Sequence, residues 1–196
     1  MNYAIVFKLQ SAILSIIAAA FAASLAIAWA FDRENHYALA VNGFAISLLV
    51  AVTLAFGCFL IGKTGDNTLR HKEALTVIGL GWLVASSIGA LPFALILPEL
   101  SVAGAFFESA SGLTTTGASV LAEFERLPAS LHFWRCGSQW IGGLGVVVFF
   151  VAILSFLGVR AKTLFSRESS AQAADLDTAP IPKGVLRITP LHIAPP

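Results

Sequence analysis

With 196 residues, 57% of them hydrophobic and only 12% charged, and a mean hydropathy of +0.83, the chain carries more apolar surface than a water-soluble domain can hide. That composition specifies a polytopic membrane protein, and a net charge of +1 without any basic cluster gives no basis for nucleic-acid binding. Cys58 and Cys136 both fall in apolar stretches and are expected as small buried hydrophobes, while His36, His71, His132 and His192 lack ligand spacing, so no metal site is expected.

The first apolar run, Ser11 to Phe31, is long enough to span a bilayer as a helix, with Lys8 before it and Asp32, Arg33 and Glu34 after it. Ala18, Ala22, Ala26 and Ala30 recur at every fourth position and predict a small-residue face on which another helix can pack. A cleaved leader, with Lys8 as its positive region and Ala26-Ile27-Ala28 as its small-residue site, is the weaker alternative because the run exceeds a usual leader core. The second run, Tyr37 to Gly62, has no formal charge; Asn42, its one amide, is expected near the aqueous end or against another helix. After a polar link, the third run extends from Ala74 to Leu97, with Gly81, Ala85 and Gly89 as a second small-residue stripe and Pro92 predicting a kink or an early helix end.

Between Pro98 and Ala129 the chain turns polar and broken. Its centre, AFFESASGLTTTGASV (residues 105–120), starts as a short helix, expected from about Val102 to Ser111, passes Gly112, and continues into Thr114, Thr115, Thr116 and Gly117. Irregular backbone at membrane depth cannot face lipid and must line a cavity walled by protein or filled with water. The predicted arrangement is a re-entrant loop whose short helix points its negative C-terminal end inward, toward a cation. The threonines offer carbonyl and hydroxyl oxygens, and Gly117 permits backbone angles that align successive carbonyls. Oxygen ligands without a carboxylate suit a monovalent ion that must also leave. Glu108, on the helix, is therefore not assigned as an ion ligand; it is expected to hold the loop by a hydrogen bond or to face the outer vestibule.

A last apolar run, Leu131 to Val159, carries Arg135 and Gln139 near its start and Gly142, Gly143 and Gly145 further on, which in a membrane permit very close contact. Arg135 is expected at the outer interface or paired with a carboxylate such as Glu108. Glu108, Arg135 and Gln139 form no catalytic set, so no enzyme is expected. Residues 160–196, rich in proline beyond Ser169, read as a cytoplasmic, disordered tail. Lys8, then Lys63, Arg70 and Lys72, then Arg160, Lys162 and Arg167 fall on one side of the membrane, against Arg33 and Arg126 on the other. That bias places both termini in the cytoplasm and the mouth of the loop outside, and it holds only if the loop enters and leaves on the same side. The expected fold is an all-α membrane protein: an N-terminal pair of transmembrane helices (1–62), a cytoplasmic link (63–73), one potassium-channel-like helix–pore loop–helix repeat (74–159) and the tail (160–196).

FFESASGLTTTGAS, followed by FWRCGSQWIGGLGVVVFFVAILSFLG, resembles the first pore repeat of the bacterial Trk/Ktr potassium-uptake membrane subunits, the TrkH type especially. The resemblance is close from about Ala74 to Glu168 and extends to the N-terminal pair by arrangement. It implies an outer helix at Ala74–Leu97, a pore helix at Ala105–Ser111, a potassium-binding filter strand at Thr114, Thr115, Thr116 and Gly117, and an inner helix at Leu131–Val159, with Glu108, Gly112 and Arg135 supporting the loop. Potassium is then the transported substrate, with no cofactor, in a multi-pass protein of the bacterial inner membrane. The implied partners are membrane lipid, the remaining pore repeats or other copies of the chain, a second subunit in a homodimer, and a cytoplasmic nucleotide-binding regulatory subunit. Members of that type carry four repeats in one polypeptide. Here one repeat is present, and past Glu168 the sequence SSAQAADLDTAPIPKG departs from the pattern, so the chain is expected to be a fragment supplying the first quarter of a pore. Four copies assembling as a tetrameric channel, or a non-conducting membrane scaffold, are the competing expectations.

Overall fold

In lipid an uncharged apolar run can satisfy its backbone only within a helix or a closed barrel, and these runs of alanine, leucine and isoleucine are helical. The computed structural model describes residues 2–32, 37–63, 71–121 and 127–147, all of them within the unit Met1–Ala152. Helices α1 (Tyr3–Phe31), α2 (Tyr37–Gly62), α3 (His71–Gly89), α4 (Leu91–Ile96) and α5 (Val102–Leu113) are followed by α6 over residues 129–147, and no strand occurs among the described residues. Among the described residues, three helical stretches are long and apolar enough to cross a membrane: Tyr3–Phe31, Ala38–Gly62 and Lys72–Ile96. The expected tail, Arg33, Arg70, Arg126 and the inner helix beyond residue 147 lie outside the described residues.

Helix α1 begins two turns earlier than the apolar run, capped by Asn2, whose side chain accepts from the Ile5 N–H. At the break between α3 and α4, Pro92 lacks the N–H that would continue the ladder and its ring crowds the preceding turn, so α3 stops at Gly89 and α4 restarts with Pro92 in its first turn. The Gly89 carbonyl left at the break accepts the indole N–H of Trp134, 3.1 Å away on α6. Trp134 also stacks at a tilt on Phe21 of α1, ring centres 4.6 Å apart, and Phe21 on Phe44 of α2, 6.3 Å apart. These rings, with Ile17, Phe93, Ile96, Leu113 and Leu131, form one core to which every helix contributes.

The two small-residue stripes behave differently. Ala18 is buried, but Ala22, Ala26 and Ala30 are exposed, contrary to the expected packing face. Four residues advance a helix by about 400°, so a strict four-residue repeat drifts by roughly 40° per step. The face α1 buries is Leu14, Ile17, Phe21, Ser24 and Ala28, whose alternating spacing of three and four stays on one side. Gly81, Ala85 and Gly89 are all buried, and the same drift carries the stripe from α1, where Gly81 meets Ile13 and Gln10, to α5 and α6, where Gly89 meets Ser109 and Trp134. Of the cysteines, Cys136 is exposed and Cys58 half-buried, so neither is the fully buried hydrophobe expected. Asn42 is exposed.

Contacts between helix ends define two poles. At one, the Asn2 N–H donates to Glu73 Oε1 (3.0 Å) and Gly62 packs on the backbone of Ala4 and Lys8. At the other, Asp32, just past α1, accepts from the N–H and hydroxyl of Ser130 in the first turn of α6. A carboxylate at the N-terminal turn meets unpaired N–H groups and the positive end of the helix dipole, so Asp32 fixes where α6 begins.

Candidate ion-binding turn

Helix α5 starts at Ser101, whose hydroxyl accepts from the Gly104 N–H (3.1 Å), and runs inward from the Asp32 pole beside α6. Small residues let the two approach closely. Gly112 lies against the Ser138 hydroxyl, and Gly142 sits on the Leu113 carbonyl so tightly that a Cβ there would collide with backbone. Gly142 is a dozen residues along α6 from Ser130, which places the end of α5 about 18 Å from that pole at the helical rise of ~1.5 Å per residue.

There α5 ends in a Schellman motif. Thr115 N–H donates to the Gly112 carbonyl (3.0 Å) and Thr116 N–H to the Ser111 carbonyl (3.0 Å), which also receives Gly117 N–H at 3.4 Å; Thr114 N–H closes the last helical bond to Ala110 (2.8 Å). The motif needs a left-handed residue, and that residue is Thr115, at φ 58. Glycine is usual here, and a β-branched threonine in this conformation stores about 1–3 kcal/mol of strain. Gly117 is left-handed too, at φ 76, in open space, so it is glycine for conformation and not for room.

All four N–H groups of Thr114–Gly117 thus point back at the carbonyl end of α5. The helix carbonyls expected to face a cation are occupied by them. In exchange, the carbonyls of Thr114, Thr115 and Thr116 accept no hydrogen bond among the described residues, on a segment that is exposed throughout. The threonine hydroxyls are less available: Thr114 Oγ1 donates to the Ala110 carbonyl (2.7 Å) and lies 2.8 Å from Thr116 Oγ1.

After the turn the chain runs back along α5. Ser111 Oγ donates to the Ala118 carbonyl (2.6 Å), and one turn of helix earlier Glu108 Oε1 accepts from Ser119 Oγ (2.5 Å) and Val120 N–H (2.6 Å). Glu108 Oε2 accepts from Arg135 Nε at 3.2 Å, and Arg135 Nη2 reaches toward the Gly117 carbonyl (3.5 Å). The Glu108 side chain is fully buried and that of Arg135 is partly exposed, at 15%. The structure therefore brings Glu108, Gly112, Arg135 and the Thr114–Gly117 turn into one cluster, with Glu108 facing the returning strand and not a vestibule. Sequence reasoning missed Ser111, Ser119, Ser138 and the Asp32–Ser130 tie. Ser111 and Ser119 sit in the motif without a pattern that marks them, and the tie joins residues 98 apart with nothing local to signal it. Among the described residues no group of three or more His, Cys, Asp or Glu side chains comes together to hold a metal.

The family model TrkH, described as a cation transport protein, matches residues 41–182. The Trk system potassium uptake protein TrkH of Escherichia coli (strain K12) is 40% identical over 136 residues, which is 68% of this chain and 28% of that protein. The Trk system potassium uptake protein TrkI of Halomonas elongata is 36% identical over 127 residues, 65% of this chain and 26% of the relative. An uncharacterized cation transporter of Methanocaldococcus jannaschii is 38% identical over 114 residues, 58% of this chain and 24% of the relative. The chain spans about a quarter of the length of these curated relatives.

Proposed function

Because the chain belongs to the TrkH family of cation transport proteins, whose members are transporters and not enzymes, we propose that it supplies one oxygen-bearing strand of a potassium-conducting pore. Helix α5 and the Thr114–Gly117 turn form a re-entrant loop that enters and leaves the bilayer at the Asp32 pole. The observation that carries this reading is the division of the turn: every N–H is spent on α5, and the carbonyls of Thr114, Thr115 and Thr116 are left over among the described residues. Such oxygens replace part of the hydration shell of an alkali cation, and a single strand provides only part of the ring. The exposure of the turn, and of Phe133, Trp140, Leu144 and Val147 along one side of α6, suits closure by further strands, from further repeats or from copies of the chain.

Glu108, Gly112 and Arg135 hold the turn and take no part as ligands. The Glu108 carboxylate fixes the returning strand, Arg135 neutralises it, and Gly112 lets α6 come close enough for that pairing. Lys8, Lys63 and Lys72 cluster at the pole away from the turn, which supports a cytoplasmic N-terminus and an outward-facing loop mouth in the bacterial inner membrane. A second subunit and a cytoplasmic nucleotide-binding regulatory subunit are the partners this reading implies; potassium is the substrate, and no cofactor is required.

The test uses cells lacking potassium uptake, expressing the chain alone or fused ahead of the remaining C-terminal part of the Escherichia coli relative. Rubidium influx restored by the fusion, and abolished by Gly117→Val at unchanged protein level, is the expected result. Influx from the unfused chain that shows the same dependence would assign the ring to copies of the chain. Influx indifferent to Gly117→Val in both formats overturns the reading.

A further inference from the structure

The residues just before α6, Leu127 and Pro128, carry no side chain that could cap it. The acceptor comes instead from the end of α1. The buried Asp32 carboxylate takes the Ser130 hydroxyl on Oδ2, and the Ser130 N–H is shared between both oxygens at 3.4 Å. Asp32 is itself fixed to α1: its N–H donates to the Ala28 carbonyl at 3.2 Å, and Ala28 and Ser24 beneath it are fully buried. The first turn of α6 is thus tied to α1 by a bond between residues 98 apart.

Helix α1 meets α6 again about one turn further on, where Trp134 lies on Phe21 with ring centres 4.6 Å apart. Ring packing tolerates small slides and rotations, whereas a carboxylate bonded to a hydroxyl and an N–H is directional. The two contacts together fix both the height and the direction of α6. Arg135, the residue after Trp134, delivers that position to the turn. Its Nε lies 3.2 Å from Glu108 Oε2 and its Nη2 3.5 Å from the Gly117 carbonyl. The second contact has little slack, and a displacement of about 0.3 Å takes it out of hydrogen-bond range.

We propose that Asp32 is a positioning residue for the Thr114–Gly117 turn, acting through Ser130 and the course of α6 on Arg135, and so on Glu108, Gly117 and the returning strand. The N-terminal helix pair is then part of the frame that holds the turn and not only an anchor in the bilayer. The placement of the turn stands on these contacts alone. Its consequence for ions rests on the function proposed above.

Amide hydrogen exchange of the full chain in detergent, read by mass spectrometry, tests the placement without any ion. In Asp32→Ala the segment 117–121 should exchange about tenfold faster, the factor expected on losing a charge-assisted hydrogen bond, while the segments around Asn2 and Glu73 at the opposite pole keep their rates. Asp32→Asn keeps the shape and an acceptor oxygen; it should move the same segment by less, and it decides the matter if the alanine variant does not fold. Pro128→Ser added to Asp32→Ala supplies a local cap but no tie to α1, so the segment should stay fast. Unchanged exchange at 117–121 in every variant that folds, an equal rise at both poles, or full recovery with Pro128→Ser would overturn the proposal. In the fusion with the Escherichia coli relative, Asp32→Asn should also lower rubidium influx relative to sodium influx at unchanged protein level. Faster exchange at 117–121 with that ratio unchanged would uphold Asp32 as a positioning residue and count against the ion path instead.

Discussion

The α1–α2 pair and the α5–α6 pair are both helix pairs of one membrane protein, but they are held by different physics. Between α1 and α2 the contacts are Phe21, Phe44 and Ile17, with polar atoms bonded locally, as when Ser47 Oγ donates to the Gly43 carbonyl (2.7 Å) four residues back. Between α5 and α6 the contacts are glycine on carbonyl, glycine on hydroxyl and a buried carboxylate with three donors. Size and periodicity suffice to anchor a helix in lipid. Holding exposed carbonyls and a left-handed threonine in place instead uses a buried carboxylate both of whose oxygens are bonded, because an unpaired charge at that depth costs several kcal/mol.

The largest expected effect comes from removing the carboxylate. Glu108→Ala leaves Arg135, Ser119 and the Val120 N–H facing an empty site, and breaking one side of a buried pair costs about 3–5 kcal/mol. Glu108→Gln keeps an acceptor for Val120 and should lose clearly less. Thermal unfolding in detergent, read by the fluorescence of the buried Trp134 and its neighbours, separates the two; equal losses would mean that the carboxylate is not what holds the returning strand.

Next is the glycine contact. A side chain at Gly142 meets the Leu113 backbone, which cannot swing aside as a flexible side chain would. Gly142→Leu should therefore cost about 1–3 kcal/mol and disturb the turn, whereas the same change at Gly137, whose added Cβ meets nothing within 4 Å, should be mild. If both cost alike, glycine matters here through helix propensity and not through contact.

How much of this was legible in the sequence follows from the same contrast. The long helices, the break at Pro92 and the short helix before the threonines follow from hydropathy, proline chemistry and local capping, all of which act within a few residues. In the cluster of Glu108, Arg135 and Gly117, the Glu108–Arg135 pair and a loop-holding bond from Glu108 were among the alternatives the residue types offered, but the Ser119 and Val120 donors and the reach of Arg135 to the Gly117 carbonyl were not. The Ala22–Ala30 stripe failed because spacing alone does not fix which side of a helix meets a neighbour when the repeat drifts. Least visible was the reversal at the turn. Gly117 signalled freedom, but that Thr115 would take the left-handed position, and that the α5 carbonyls would be used up by the turn's own N–H groups, depends on the way the helix terminates.

That reversal gives a prediction of opposite sign. Thr115 holds a left-handed conformation that glycine adopts freely, and its hydroxyl makes no hydrogen bond among the described residues. Thr115→Gly should therefore relieve strain and stabilise the chain by about 1 kcal/mol, while Thr115→Val, which keeps the branching, should not. Neither change touches the Schellman bonds, which are made by backbone.

The smallest effect sharpens the contrast from its other side. Ala26 is exposed on α1, away from the Leu14–Phe21–Ala28 face, and a larger apolar side chain there has room among the described residues. Ala26→Leu should leave the unfolding temperature unchanged to within about 0.5 kcal/mol, the range of ordinary surface substitutions, whereas Ala28→Leu, on the buried face, should cost about 1–3 kcal/mol by overpacking. The pair of measurements reads the rotation of α1 directly. Were Ala26→Leu the costlier change, the alanine stripe would be the packed face after all, and the core built on Phe21 and Trp134 would have to turn with it.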